Sequence, residues 1–462
     1  MSALQSFANI FSVPDLRKRV IFTFLLLAVY RLGSHIPTPG IDPAAIDAYF
    51  KSQAGSLFGF LDIFSGGALR RLSVFALGIM PYISSSIILQ LLTVVWPYLE
   101  KLSKEGEMGR KKITQYTRYG TVGLSFIQAM GIALWLEKQT TPTGVPLVLS
   151  TGWGFRLMTV LTLTTGTMFI MWLGEQITER GIGNGISLII FAGIVVGLPH
   201  AIFSLFEQVR GEQISIITLI GVLVFMVGIV ALIVFVERAQ RRIPVQYAKR
   251  VVGRRVYGGQ NTYLPLRVNT GGVIPIIFAI SIIQLPAYLA QLSGLDWMKK
   301  VAGSLSLGQP LYVLLYAVGI LFFCYFYTSI VFNPTDTADN MRKYGGFIPG
   351  IRPGRKTADY IDDVLSRLTI IGALYLTFVA LLPEFLSSGF KVQGIPWIGA
   401  WLDGVLPRFF TQGFGFNFYF GGTSLLIVVG VAMDTVQQVE SKLVEHHYTG
   451  FLKKSRIRGR RS

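Results

Sequence analysis

The stretch QISIITLIGVLVFMVGIVALIVFV, at residues 213–236, decides the fold of this chain, because it contains no Asp, Glu, Lys or Arg. A helix that crosses a bilayer needs roughly 20 mainly apolar residues, and this run is longer than that. Of the 462 residues in the chain, 52% are hydrophobic and only 14% are charged, whereas soluble domains carry about 25% charged residues. The stretch therefore predicts a membrane-spanning helix in an integral membrane protein.

Nine further runs resemble this one in length and composition. One of them starts at Val20, after the basic cluster at 17–19, and contains Arg31, whose long side chain can extend toward the outer face. No small-residue cleavage site follows the basic cluster, so no cleavable signal sequence is evident. We therefore predict an all-α integral membrane protein with ten transmembrane helices. The other eight runs are free of charged residues and lie at 72–99, 119–136, 157–174, 181–206, 268–295, 301–335, 368–383 and 409–433.

The positive charges of the loops predict how the chain is oriented. If ten spans place both termini on one side, that side carries 31 of the 42 Lys and Arg residues and the other side carries 11. Basic residues collect in cytoplasmic loops, so both termini are predicted to lie in the cytoplasm. The formal net charge of +18 is then concentrated on a face that suits anionic lipid head groups, RNA or an acidic protein partner.

The ten spans divide into two sets of five near Gly211. Because five is odd, the second set enters the membrane from the opposite side, as in an inverted repeat. This inference is topological only, since the halves show no convincing sequence match. We predict an N-terminal half at 1–211 and a C-terminal half at 212–462, which ends in a basic tail.

Two long cytoplasmic loops lie in the C-terminal half, at 238–267 and 333–367. The first is basic, and its β-branched and aromatic residues around Gly258-Gly259 predict a hairpin-like excursion. The second contains several Pro and Gly residues that force turns and exclude a long helix. Protruding loops with fixed turns favour a recognition surface, although a solvated linker remains the alternative.

An external stretch after the first span runs through LFGFL at 57–61 directly into residues 62–71. It is too apolar for a free loop, yet too short and too charged to cross the membrane. A re-entrant segment fits this composition, and such segments are tolerated only against protein or a water-filled cavity. Gly66-Gly67 would allow a short helix there to bend. An interfacial helix on the outer surface remains the alternative.

No enzyme constellation is present in the sequence. His35 and His200 are isolated, and His446-His447 has no metal-ligand spacing. The motif GIGNG at 181–185 follows no strand, so it predicts a tight turn rather than a phosphate-binding loop. Cys324 is the only cysteine, which excludes an internal disulfide. We expect no catalytic activity, no metal and no cofactor.

The spans are nearly free of ionisable groups, which disfavours a transporter of ions or charged metabolites.

Seven stretches resemble the SecY family, the pore-forming subunits of the general protein translocon. They follow the family order over nearly the whole chain, and they are long and distinctive. The stretches are FSGGALRRLSVFALGIMPYISSSIILQLL (64–92), EGEMGRKKITQYTRYGT (105–121), TGTMFIMWLGEQITERGIGNGISLIIFAGIV (165–195), VERAQRRIPVQYAKR (236–250), GRRVYGGQNTYLPLRVNTGGVIP (253–275), FNPTDTADNMRKYGGFIPGIRPG (332–354) and YFGGTSLLIVVGVAMD (419–434).

The resemblance implies a fold and a site. It implies two five-helix halves hinged near 206–212, around an hourglass pore that can also open sideways into lipid between spans 2 and 7. The segment at 62–72 corresponds to the family's plug, which favours the re-entrant alternative. The plug residues are Asp62, Ile63, Phe64, Ser65, Gly66, Gly67, Ala68, Leu69, Arg70 and Arg71.

The resemblance also implies that six apolar side chains line the waist of the pore. All six are isoleucines, and two pairs on single helices are spaced i, i+4 and so stack on one face. From spacing alone they are ordinary core residues, and only the resemblance gives them a pore role. A ring of such groups can close by excluding water. The six are Ile83, Ile87, Ile186, Ile190, Ile277 and Ile427.

The partners follow from the same resemblance. The two cytoplasmic loops correspond to docking sites for the ribosome and for a SecA-type motor ATPase, with Arg254, Arg255 and Arg352 at their basic tips. Further expected partners are SecE-like and SecG-like membrane subunits, signal peptides, unfolded preproteins and anionic lipids. The expected location is the bacterial cytoplasmic membrane. A secondary transporter of a small solute with inverted repeats is the alternative function. The aromatic external connection at 384–418 is longer than the resemblance implies and has no assigned role.

Overall fold

The structure is a computed structural model that describes residues 13–52, 62, 65–140, 144, 146–211, 215–247, 250–252, 255–257, 262–293, 297, 300, 303–305, 309–388 and 422–454. Most of the predicted external connection lies outside these residues. The helices, in chain order, are α1 Pro14–Gly33, α2 Pro43–Ser52, α3 Met80–Val95, α4 Pro97–Lys104, α5 Glu107–Lys138, α6 Trp153–Arg180, α7 Gly185–Arg210, α8 Ile216–Arg238, α9 Ile274–Ser293, α10 Pro310–Val331, α11 Pro334–Lys343, α12 Arg355–Ser388 and α13 Gly422–Lys454. The strands are β1 Gln240–Tyr247, β2 Arg250–Val252, β3 Arg255–Tyr257, β4 Thr262–Arg267 and β5 Gly346–Phe347.

Each of the ten predicted spans overlaps a helix in the described part of the chain. Seven helices there are long and apolar enough to cross a membrane by length and composition, and α3 with α4 would make an eighth. The two remaining predicted spans correspond to α1, which carries the basic cluster, and to α9, whose apolar part is short. The mostly helical, multi-span fold class is therefore confirmed, and the number ten stays a prediction.

The second predicted span differs from its charge-free run. The helix starts at Met80 rather than Leu72, and it breaks before Pro97, where α4 turns away from α3 by 99°. Proline disfavours the helical conformation in the residue before it, and Trp96 is extended, with φ −101° and ψ 112°. The run at 72–99 therefore reads as one span in hydropathy and folds as turns followed by two helices.

The chain forms two compact units. Unit 1 comprises residues 1–213, 288–299 and 431–462, and unit 2 comprises residues 214–287 and 300–430. In unit 1, helices α3, α5 and α6 pack side by side, and α6 also packs against α1 and α7. A buried cluster there joins α2 and α5 to the segment after residue 68, through residues such as Ile46, Leu69, Leu72 and Ala133. The segment predicted to re-enter the membrane is thus part of the core of unit 1.

Unit 2 contains a small sheet that joins the two long loops predicted to be cytoplasmic. Its strand order is β4-β1-β5, and both pairings are antiparallel. Strands β2 and β3 form a separate antiparallel pair, in which Val252 pairs with Arg255, as the predicted hairpin-like excursion requires. Gly258-Gly259 lie outside the described residues. The second loop forms the short helix α11 and turns at Gly345, Gly350 and Gly354, all at positive φ. This agrees with the turns predicted there.

Candidate channel site

Four of the six predicted pore isoleucines lie in unit 1, on α3 and α7. Ile83 and Ile87 are buried one turn apart on α3, whereas their neighbour Ile88 is 41% exposed on another side of the helix. Ile190 is buried on α7 and Ile186 is half-buried. The two pairs therefore face protein rather than the lipid side of their helices.

The start of α7 is fixed by its first residues. Asn184 caps the helix, and its side-chain oxygen accepts hydrogen bonds from the backbone N–H groups of Ile186 and Ser187. Gly183 has φ +87°, so GIGNG forms the predicted turn at a helix entry. Ile186 packs against α6, because a Cβ built on Gly174 would lie 3.2 Å from its Cγ1 atom. The turn and the cap together set the direction in which Ile186 and Ile190 point.

The other two isoleucines lie in unit 2. Ile427 is fully buried on α13, and Ile277 is half-buried on α9. One turn from each, α13 approaches the start of α9 so closely that a Cβ on Gly430 would lie 2.6 Å from Cγ2 of Val273. If the two helices run antiparallel, as the predicted topology requires, Ile277 and Ile427 lie at one depth. The six-membered ring itself stays a prediction.

The predicted plug is a compact series of turns in which side-chain oxygens accept hydrogen bonds from backbone N–H groups. The Ser65 hydroxyl accepts from the Leu69 N–H at 3.1 Å, and the Asp62 carboxylate accepts from the Arg70 N–H at 2.8 Å. Ala68 and Leu69 are buried, and Arg71 is exposed. Ile63 and Phe64 lie outside the described residues. The segment therefore has fixed local structure, with apolar residues inside.

Helices α1 and α7 both contact this segment. The Tyr30 hydroxyl donates to the Ser65 carbonyl at 3.2 Å, and the Arg31 guanidinium donates to the Gly66 carbonyl at 2.7 Å. Gly66 lies against α7, since a Cβ on it would lie 2.9 Å from Cα of Gly193. Gly193 is one turn after Ile190, so the predicted plug contacts α7 next to a predicted pore residue.

Helix α2 contacts the segment from another direction. Asp47 accepts a hydrogen bond from Nε of Arg70 at 2.6 Å in a half-buried ion pair. On the same helix, the Tyr49 hydroxyl donates to the side-chain oxygen of Gln139 at 3.2 Å. Burial raises the pKa of Tyr49, so this phenol stays neutral and keeps its donor proton. These bonds tie α2 both to the predicted plug and to the end of α5.

Two of the three predicted docking arginines lie in the described part of the chain. Arg254 lies outside the described residues, and Arg255 begins strand β3. Arg352 is exposed on the turn before α12, and its carbonyl accepts a hydrogen bond from the Thr357 hydroxyl at 2.9 Å. Pro353 directly follows it and restricts its backbone. The backbone of Arg352 is thus restrained by the hydrogen bond from Thr357 in the first turn of α12 and by the proline that follows it.

Several residues that contact the predicted plug could not be identified from the sequence. Arg31 donates to the Gly66 carbonyl, and its predicted extension toward the outer face stays a prediction. Tyr30, Asp47 and Gly193 lie far from the segment in sequence, and local patterns do not indicate which backbone they contact. No group of three or more His, Cys, Asp or Glu side chains suited to a metal ion occurs in the described parts of the chain.

Curated proteins similar to this chain are bacterial translocase subunits. Protein translocase subunit SecY of Pseudomonas aeruginosa is 52% identical over 451 residues, which cover 97% of this chain and 95% of that protein. Protein translocase subunit SecY of Escherichia coli strain K12 is 52% identical over 449 residues, covering 96% of both chains. The same subunit of Aquifex aeolicus is 45% identical over 446 residues, covering 96% of this chain and 98% of that protein.

The family and fold comparisons agree with these relatives. Residues 73–436 match the SecY family. A solved structure of a protein-conducting channel has the same fold, with a TM-score of 0.61, 16% identity and 92% coverage of both chains. Sec61 in a canine ribosome–channel complex is similar, with a TM-score of 0.58, 16% identity and 92% coverage of both chains.

Proposed function

We propose that this chain, which belongs to the SecY family and is the channel subunit of a protein translocase, seals its resting pore with a ring of isoleucines and the plug at 62–72. Stripping an ion of its water in an apolar waist costs far more than thermal energy, and apolar constrictions close by dewetting. An unfolded polypeptide brings its own side chains into contact with the ring. The ring can therefore block ions and still admit a threading chain.

The burial of the six isoleucines is the observation that carries this proposal. None of them is exposed, whereas Ile88, next to Ile87 in sequence, is exposed as a lipid-facing residue would be. The contact between Gly66 and Gly193, one turn beyond Ile190, supports a plug that rests against the ring. Both observations favour a closed resting pore.

Glycine at Ile83 and Ile87 tests the ring. Removing both side chains opens the seal, so we expect a resting ion conductance in planar bilayers well above that of the unmodified complex. Ile88→Gly is the matched control, because it makes the same change on an exposed face of α3 and should leave the conductance low. A double glycine variant as tight as the unmodified channel would remove the pore role from this pair.

The two cytoplasmic loops provide the proposed docking surface. They share one sheet through β1 and β5, and they carry Arg254, Arg255 and the exposed Arg352. Basic tips suit rRNA phosphates on a ribosome and carboxylates on a SecA-type motor. The chain is a channel subunit rather than an enzyme, so the energy for transport is proposed to come from these partners.

Further parts of the proposal concern the membrane. Preprotein is proposed to cross as an unfolded chain, and apolar segments are proposed to leave sideways between spans 2 and 7. SecE-like and SecG-like subunits are proposed to complete the complex, with anionic lipids against the basic face. Purification in mild detergent tests the composition, since these small subunits and the motor should remain with the chain.

The translocase names and channel folds of the similar proteins favour this function over a secondary transporter. Reconstituted liposomes separate the two functions. A translocase imports preprotein when a motor and ATP are supplied. Solute uptake driven by an ion gradient, with no effect on preprotein, would instead support the transporter.

A further inference from the structure

The predicted plug contains two consecutive backbone carbonyls, those of Ser65 and Gly66, that lack the hydrogen bonds of a continuing helix. In a continuing helix, the carbonyls of Ser65 and Gly66 would accept from the N–H groups of residues 69 and 70. Here those two amides bond to the side chains of Ser65 and Asp62. The Ser65 carbonyl accepts only a long bond of 3.4 Å from the Ala68 N–H within the segment. A carbonyl has two lone pairs, so Ser65 as well as Gly66 can accept a hydrogen bond from the end of α1.

Two consecutive residues of α1 supply those hydrogen bonds. The Tyr30 hydroxyl donates to the Ser65 carbonyl, and the Arg31 guanidinium donates to the Gly66 carbonyl. The second bond has a charged donor, and such bonds are roughly twice as strong as neutral ones. The end of α1 thus holds the segment at two adjacent peptide units.

The donors are fixed in place by α1 and its neighbours rather than by the segment. Tyr30 stacks on Phe75 with ring centroids 6.0 Å apart and an interplanar angle of 7°. Arg31 also donates to the hydroxyl of Ser34, which in turn donates to the Arg31 carbonyl. The clasp is therefore organised before the segment binds, which lowers the entropy cost of closing.

We propose that Tyr30 and Arg31 form a clasp that sets how firmly the plug is held closed, by binding the carbonyls of Ser65 and Gly66. This inference rests on the proposed plug and pore. Opening the channel breaks both bonds, so the clasp favours the closed state. Tyr30 and Arg31 are positioning residues in this account, and they contact neither ions nor preprotein.

Resting ion flux from vesicles that contain the complete complex tests the clasp. Arg31→Met keeps the length of the side chain and removes its donors, so we expect the resting open fraction to rise on the order of tenfold or more. Tyr30→Phe removes only the hydroxyl and should raise it a few-fold. Arg31→Lys keeps a charged donor and should fall between Arg31→Met and the unmodified channel. Arg17→Met, an exposed change at the other end of α1, is the control and should leave the flux unchanged.

Deletion of residues 62–72 separates failure of the clasp from failure of the plug. If the clasp acts through the plug, Arg31→Met adds no flux to a deletion variant that already leaks, as expected for coupled sites. If the deletion leaks but Arg31→Met and Tyr30→Phe stay tight, the clasp is overturned and the plug stands. Additional flux from Arg31→Met in the deletion background also overturns the clasp. A deletion variant that stays tight overturns the plug on which the clasp depends. Should Arg31→Met fail to assemble, Tyr30→Phe decides the test alone.

Discussion

Arg352 shows how a single exposed charge is aimed. Its side chain projects from the turn before α12, while its own carbonyl is held by the Thr357 hydroxyl. Thr357 is itself buried, so its hydroxyl has a fixed position. Because its backbone is restrained, Arg352 presents its charge at a defined position on the surface. This suits the proposed role of Arg352 in coupling the channel to a motor.

Two substitutions separate the charge of Arg352 from its placement. Arg352→Glu reverses the charge, and we expect it to block motor-driven export while the protein still inserts into the membrane. Thr357→Val removes a neutral hydrogen bond, which is worth about 0.5–1.5 kcal/mol. It should slow export by about 2–10-fold if that energy appears in coupling. Export of a preprotein into inverted membrane vesicles measures both effects. Normal export by Arg352→Glu would remove this residue from the docking site.

Single residues were predictable where the signal is local. The i, i+4 spacing of Ile83 and Ile87 indicates one helix face, and α3 buries both residues. The motif GIGNG indicates a turn, and Gly183 adopts positive φ there. The partner of Arg31 had no local signal, because it is a backbone carbonyl 35 residues away. Backbone carbonyls are the same in every residue, so no sequence pattern marks the one that a side chain will bind.

At the scale of elements, the two loops predicted to be cytoplasmic share one small sheet and one buried cluster. Gln246 and Tyr247 at the end of β1 pair with Phe347 and Gly346 of β5. Buried side chains from β1, β4, α11, α12 and the residue after β5 form a single cluster. Its buried members are Ile243, Val245, Leu266, Met341, Ile348, Ile361 and Leu365. We therefore expect a change that destabilises this cluster to destabilise both predicted docking loops.

Ile243→Ala tests this shared core. Truncating a buried isoleucine costs about 2–5 kcal/mol, and Ile243 is buried at the centre of β1. We expect limited proteolysis to cut both loops faster in this variant, at 240–267 and at 333–354. Tyr263→Ala is the control, because Tyr263 is an exposed residue of the adjacent strand. Faster cleavage confined to the first loop would show that the loops are independent.

The sequence predicted the elements of these loops better than their pairing. β-branched and aromatic residues indicated strands near 250–267, and prolines and glycines indicated turns near 345–354. The partner of β1 in the second loop could not be predicted, because strand pairing over about 100 residues depends on how intervening helices pack. The hydrophobic pattern of Ile243 and Val245 shows that one face of β1 is buried, but not what buries it.

At the scale of the molecule, hydropathy predicted the helices and the SecY resemblance predicted the family. Uncharged runs are a strong signal, because a bilayer requires every backbone group of a span to be satisfied within the helix. The same signal does not mark where a helix starts within a run, and so it missed the turns before Met80 and the break before Pro97. Those details depend on backbone geometry rather than on hydropathy.

The orientation of the whole chain is a prediction of its charge distribution, and single cysteines can test it. Leu149, in a predicted external loop, is 75% exposed, and Tyr344, in a predicted cytoplasmic loop, is 78% exposed. The natural Cys324 is buried, so it should contribute little labelling. In intact cells with a permeable outer layer, a membrane-impermeant thiol reagent should label Leu149→Cys and leave Tyr344→Cys unlabelled. Inverted membrane vesicles should reverse the pattern, because the reagent then meets the face that is predicted to carry 31 of the 42 basic residues. Labelling of Tyr344→Cys in intact cells would contradict the orientation, and it would place the proposed docking loops on the side away from the proposed cytoplasmic partners.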